Sequence, residues 1–151
     1  MQAQKNSTKP NLVVILVDQL RRNAVHHLGG PVPTPALDQL AEEGVSFPDA
    51  FCVSPMCTPA RAALLTGRLN HALHDVNGNP YYFNDHTLSP QERTLAHILS
   101  EHGYACGYAG KWHLIRGKGD TPIPRGPLRL GFDDFWAGIN CGSRRTHPWY
   151  W

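Results

Sequence analysis

Cys57-Thr58-Pro59-Ala60-Arg61-Ala62-Ala63-Leu64-Leu65-Thr66-Gly67 is the stretch on which the reading of this chain turns. Thr58 suits a helix N-cap and Pro59 the first helical position. Residues 60–65 are good helix formers, and Gly67 is placed to end the helix. Cys57 is thereby expected just before a short helix, where unpaired backbone N–H groups and the helix dipole favour an anion. Arg61, in the first turn, adds a second positive element. Taken alone, Cys57 reads as a small buried hydrophobe and Arg61 as a surface arginine. Their joint occurrence with Pro59 at a helix start favours a functional reading. Residues 45–53 are expected to be extended and to deliver the chain to this stretch.

The 151 residues suffice for one modest domain. A chain 41% hydrophobic and 17% charged is composed like a soluble globular protein. Its net charge of +2 is too small to point to nucleic acid, and no basic run appears. Residues 1–10 are polar and read as a disordered tail without a signal-type apolar core. The apolar run at 12–17 is too short to cross a membrane, so no membrane partner is expected. Cys52, Cys57, Cys106 and Cys141 show no disulfide framework or CxxC spacing. They read as reduced thiols of a cytoplasmic chain, or of an exported one if an upstream start is missing.

Along the chain, Asn11-Leu12-Val13-Val14-Ile15-Leu16-Val17 reads as a buried parallel strand. It ends at Asp18-Gln19. An acid at a strand's carboxyl end is a candidate hard-cation ligand, and equally a helix N-cap or a surface acid. Residues 20–28 read as partly helical, closing at Gly29-Gly30, with His26 and His27 solvated. A helix starts at Thr34-Pro35, with Leu37, Leu40 and Ala41 inward, Asp38, Glu42 and Glu43 outward, and Gly44 at its end. His71, His74 and Asp75 invite a zinc reading, but their spacing fits no strong zinc pattern. Residues 81–88 read as an aromatic loop. Ser89-Pro90-Gln91-Glu92 has capping-box form before a helix with Leu95, Ile98 and Leu99 inward. Residues 104–110 read as a second short strand, parallel to the first. Arg116, Lys118, Arg125 and Arg129 lie in a Gly/Pro-rich loop that draws in an anion or is simply solvated. Asp133 and Asp134 read as turn acids, and residues 138–151 as irregular.

Three blocks together resemble the type I sulfatases. Cys57-Thr58-Pro59-Ala60-Arg61 is similar to the family's Cys-x-Pro-x-Arg signature. Thr34-Pro35-Ala36-Leu37-Asp38 is similar to its second block. Gly110-Lys111-Trp112-His113-Leu114 is similar to a third, which supplies a lysine and a histidine to the active site. The resemblance implies an α/β, alkaline-phosphatase-like fold, a parallel-rich sheet with helices on both faces. It implies hydrolysis of a sulfate ester, of a small molecule or a saccharide, with Cys57 converted by a maturation enzyme to formylglycine. It implies Ca2+ bound by Asp18, by residue 57 and, at the position where the family has a second acid, by Gln19. Arg61, Lys111 and His113 would complete the catalytic set.

The family's remaining metal ligands lie well downstream, and no such block precedes Trp151. The chain accordingly reads as the N-terminal part of a sulfatase catalytic domain over residues 11–151, incomplete C-terminally and inactive in isolation. A phosphonate or phosphate monoester hydrolase of the same superfamily, and a non-enzymatic anion-binding remnant, are the alternatives.

Overall fold

The computed structural model describes residues 9–81 and 85–141. Most of the expected N-terminal tail, the centre of the aromatic loop at 82–84 and the closing stretch 142–151 lie outside the described residues. The chain divides into two compact units, Met1–Ala50 and Phe51–Trp151.

In the first unit, two 3-10 turns, Arg22–Ala24 and His26–Leu28, precede helix α1, Pro35–Glu43. Pro35 opens α1 because its missing N–H has no partner to lose there. Asp38, one turn in, ties α1 to the preceding turns. Its Oδ1 accepts the Thr34 hydroxyl at 2.9 Å and the His27 backbone N–H at 3.1 Å, and His26 Nδ1 lies 3.0 Å from Oδ2. Burial pulls the Asp38 carboxyl upward, yet these hydrogen bonds outweigh it and hold the group below its ordinary value. Asp38, His26 and His27, expected as solvated, thus form a local tie.

Two expectations fail in this unit. Residues 11–17 form no strand ladder among the described residues, and Val13 is 82% and Ile15 78% exposed. An all-apolar run becomes a buried strand only when neighbours pair its backbone and cover both faces, and the described residues supply neither. Leu37 and Leu40 are likewise exposed, so the apolar stripe of α1 is not covered.

The second unit holds helix α2, Cys57–Thr66, helix α3, Leu95–Glu101, and strands β1, Gly107–Lys111, and β2, Phe135–Ile139. α2 ends as expected at Gly67, whose φ of 68° gives a left-handed cap and whose N–H donates to the Ala63 carbonyl at 2.8 Å. Its start differs from expectation. Met56 is the N-cap, and Cys57, Thr58 and Pro59 already lie within the first turn. Thr58 is buried rather than capping, and Ala60 N–H makes the first return bond, to Met56 O at 3.1 Å. Proline still fits at Pro59 because first-turn N–H groups have no intrahelical acceptor.

α3 also starts later than expected. Thr94 is its N-cap, and His97 Nδ1 accepts the Thr94 backbone N–H at 3.1 Å in a capping box. The Thr94 hydroxyl is taken by Leu130 O at 2.6 Å. Ser89 and Glu92 instead close a turn through a 3.0 Å backbone bond. The buried Glu92 carboxylate receives Arg68 at 2.5 Å, just past the end of α2. Ala96, not Leu95 or Ile98, is the fully buried face of α3.

β1 and β2 pair in parallel, Tyr108 opposite Trp136 and Lys111 opposite Ile139. β2 falls where a turn and irregular chain were expected. A Cβ on Gly107 would come within 2.9 Å of Phe135 Cβ, so glycine permits the close approach at the start of the ladder. Trp112 N–H to Ile139 O at 2.6 Å extends the pairing by one residue. The core beside this sheet joins Trp112, Leu73, Tyr81, Leu88, Leu114 and Ala62, each at most 1% exposed. Tyr108 stacks on Trp136 at 5.4 Å and meets Trp112 edge-on at 4.8 Å, an arrangement that aromatic quadrupoles favour.

Candidate active site

Arg61 joins two of the three motif blocks. It sits one turn after Cys57 on α2, so the two residues share a helix face. Its side chain is 6% exposed, and Nη1 donates to Lys111 O at 2.5 Å and to the Tyr108 hydroxyl at 3.3 Å. Lys111 is the last residue of β1. The first turn of α2 is therefore fastened to the carboxyl end of a parallel strand, the edge where α/β sheets gather ligands. Small side chains allow this: Ala62 and Ala63 are buried in α2 and Ala96 in α3.

Cys57 is half-buried at the first position of a ten-residue helix, one place further in than expected. Its surroundings keep the expected sign, because the free N–H groups of a first turn and the positive helix end favour negative charge. Lys111 is half-buried, and its charge is felt at the end of β2. Burial raises the Cys141 thiol above its ordinary pKa, Lys111 opposes that shift and Asp120 adds to it.

His113 departs from expectation in one respect. A strand would carry it to the same face as Lys111. β1 ends at Lys111, and His113 has a φ of 59°, so strand alternation stops before it. Positive φ is uncommon for a non-glycine residue and collects at functional sites. Gln19 shares it, also at 59°, in an exposed turn with Asp18. Asp18 and Gln19 belong to the first unit, and Cys57, Arg61, Lys111 and His113 to the second.

Asp18 and Gln19 offer a carboxylate and a carboxamide, hard oxygen donors of the type calcium takes. Two residues are a fraction of the six to eight oxygens of a full calcium shell. Among the described residues no group of three or more His, Cys, Asp or Glu could hold a metal ion. His71, His74 and Asp75 form no such group among the described residues. Asp75 instead organises a turn. Its Oδ1 accepts the backbone N–H groups of Asn77 and Asn79 at 2.8 and 2.9 Å, and His86 Nδ1 lies 2.9 Å from Oδ2. Burial pushes its pKa up, but these bonds prevail and bring it down to about 2.

Ser46, His27 and Asp38 follow the order of a hydrolytic triad, with Ser46 Oγ 3.2 Å from His27 Nε2. His27 Nδ1, however, is 3.6 Å from Asp38, beyond a hydrogen bond, and that carboxylate is taken up by Thr34, His26 and a backbone N–H. The arrangement is a structural tie. Reading the sequence missed Tyr108, because its strand register against β2 fixes where the hydroxyl falls, and no local pattern reports that register.

The fold is α/β of the alkaline-phosphatase-like class. A sulfatase family model matches residues 10–151, and the chain belongs to the sulfatase family. It is 42% identical over 152 residues to the ulvan-active sulfatase of Formosa agariphila, covering 99% of this chain and 28% of that protein. It is 36% identical over 140 residues to the N-acetylgalactosamine-6-sulfatase of Canis lupus familiaris, covering 87% of this chain and 26% of that protein. Among solved structures it is similar to yidJ of Bacteroides fragilis, a provisional sulfatase. The TM-score is 0.77 at 33% identity, over 100% of this chain and 36% of that one. The chain thus spans about a quarter to a third of the length of these relatives. Among the described residues, no helix is long and apolar enough to cross a membrane.

Proposed function

We propose that this chain carries the nucleophile-bearing part of a sulfuric ester hydrolase acting on a sulfate ester, a saccharide sulfate first. The observation that carries the reading is the hydrogen bond from Arg61 to Lys111 O, which unites the Cys57 helix start with the Lys111-Trp112-His113 strand end. Relatives named as ulvan-active and as acting on N-acetylgalactosamine 6-sulfate support the substrate class.

In this reading a maturation enzyme would convert Cys57 to formylglycine, which would supply a nucleophilic hydroxyl at residue 57. The half-buried helix start fits such a group, since its N–H donors favour the developing oxyanion. Arg61, held by the strand end, keeps the residue-57 face cationic. Lys111 places an ammonium at the same edge to neutralise sulfate oxygens. His113 holds or gives the proton at the leaving oxygen. Asp18, Gln19 and residue 57 would be the ligands that this chain offers to Ca2+, which would supply Lewis-acid stabilisation when bound. Further ligands would come from beyond the given residues.

The test is co-expression with a maturation enzyme, mass spectrometry of the residue-57 peptide, and turnover of 4-nitrophenyl sulfate by the chain joined to the remaining length of a relative. We expect an aldehyde at residue 57 and turnover lost in Cys57→Ala and Lys111→Ala. An unmodified thiol with no sulfate turnover would defeat the proposal. Faster turnover of an aryl phosphonate than of the sulfate would move it to the sister hydrolases.

A further inference from the structure

The Tyr108 hydroxyl stands between the two halves of the candidate site. It donates to Lys111 O and lies 3.3 Å from Arg61 Nη1, while Arg61 Nη1 itself reaches Lys111 O at 2.5 Å. The three groups admit one hydrogen-bond assignment. A guanidinium has no acceptor and a carbonyl has no donor. The single hydroxyl proton therefore goes to Lys111 O, and the hydroxyl oxygen accepts from Arg61. The carbonyl then takes two donors, one for each lone pair. The ring that carries the hydroxyl is itself fixed, stacked on Trp136 and edge-on to Trp112 and Phe132. Burial raises the Tyr108 pKa, with Arg61 opposing, so the hydroxyl keeps the proton this assignment needs.

We propose that Tyr108 is a positioning residue of the site: its hydroxyl locks the Arg61 guanidinium against the Lys111 carbonyl and so sets the Cys57 helix start against the end of β1. The inference rests on the sulfatase reading for its catalytic meaning, but the lock itself is a statement about hydrogen bonds. Tyr108→Phe removes one hydroxyl and keeps the ring contacts, which makes it the natural perturbation.

Two readouts separate the lock from the reading it serves. The first is NMR of the Arg61 guanidinium in the full chain. Separate Nη proton signals are expected in the unsubstituted protein, merging in Tyr108→Phe as rotation is released. The second is binding of inorganic sulfate by calorimetry. We expect affinity about tenfold weaker in Tyr108→Phe, the equivalent of one hydrogen bond to a charged group. In Arg61→Lys, adding Tyr108→Phe should cost nothing further, because the hydroxyl acts through the guanidinium. Unchanged Arg61 signals and unchanged sulfate affinity in Tyr108→Phe would overturn the proposal. Released Arg61 signals in a chain that binds no sulfate would uphold the lock and count against the sulfate site. Should Tyr108→Phe fail to fold, the Tyr108 hydroxyl proton decides. It should exchange slowly in the unsubstituted chain and shift in Arg61→Lys, and no shift would refute the lock.

Discussion

Replacing Arg61 by alanine tests the joint between α2 and β1 directly. Arg61 is 6% exposed and donates to two neutral oxygens, Lys111 O and the Tyr108 hydroxyl. A net hydrogen bond from a charged group contributes about 1.5–3 kcal/mol, so two give about 3–6 kcal/mol. Part is recovered in the variant, because the Tyr108 hydroxyl already donates to the same carbonyl and leaves it one partner. We therefore expect a loss of about 3 kcal/mol. With a urea slope of about 2 kcal/mol/M for a small domain, the unfolding midpoint falls by about 1.5 M. Tryptophan fluorescence reads it, since Trp112 and Trp136 pack at 5.1 Å beside the joint. Arg61→Lys keeps the charge but loses the planar fork and should recover less than half of the loss. A midpoint shift under about 0.3 M in Arg61→Ala, or full recovery by lysine, would refute the argument that a guanidinium fastens helix to strand.

Other outcomes follow from local features. Gly67→Ala should cost about 1 kcal/mol by thermal unfolding, wholly from φ of 68°, because an added Cβ meets nothing within 4 Å. Gly67→Asn should cost less, asparagine tolerating that conformation better. Asp75 has a folded pKa of about 2, below its unfolded value. Its contribution is present above about pH 4 and is lost as pH falls through about 2, and Asp75→Asn should flatten the urea midpoint across that window. Ile15→Lys alters a 78% exposed side chain, so stability should change by less than about 0.5 kcal/mol while self-association falls in sedimentation velocity. A large destabilisation there would show that residues 11–17 are covered after all.

What the sequence determined by itself was whatever depends on a few consecutive residues. The end of α2 at Gly67, the closing of residues 20–28 at Gly29 and the start of α1 at Pro35 all follow from backbone preferences local to those positions. The motif blocks around Cys57 and Lys111 were legible for a related reason, since each is a short run of chemically unusual residues. The tertiary structure alone decided what depends on partners distant in the chain. Residues 11–17 have strand composition but no ladder among the described residues, because pairing belongs to two strands and not to one. β2 holds the strand formers Phe135, Trp136 and Ile139 but is broken by Ala137 and Gly138 and followed by irregular chain, and only its pairing with β1 marks it as a strand. Arg61 and Lys111 are 50 residues apart, and only packing of α2 against the strand end turned two separate motifs into one hydrogen-bonded site.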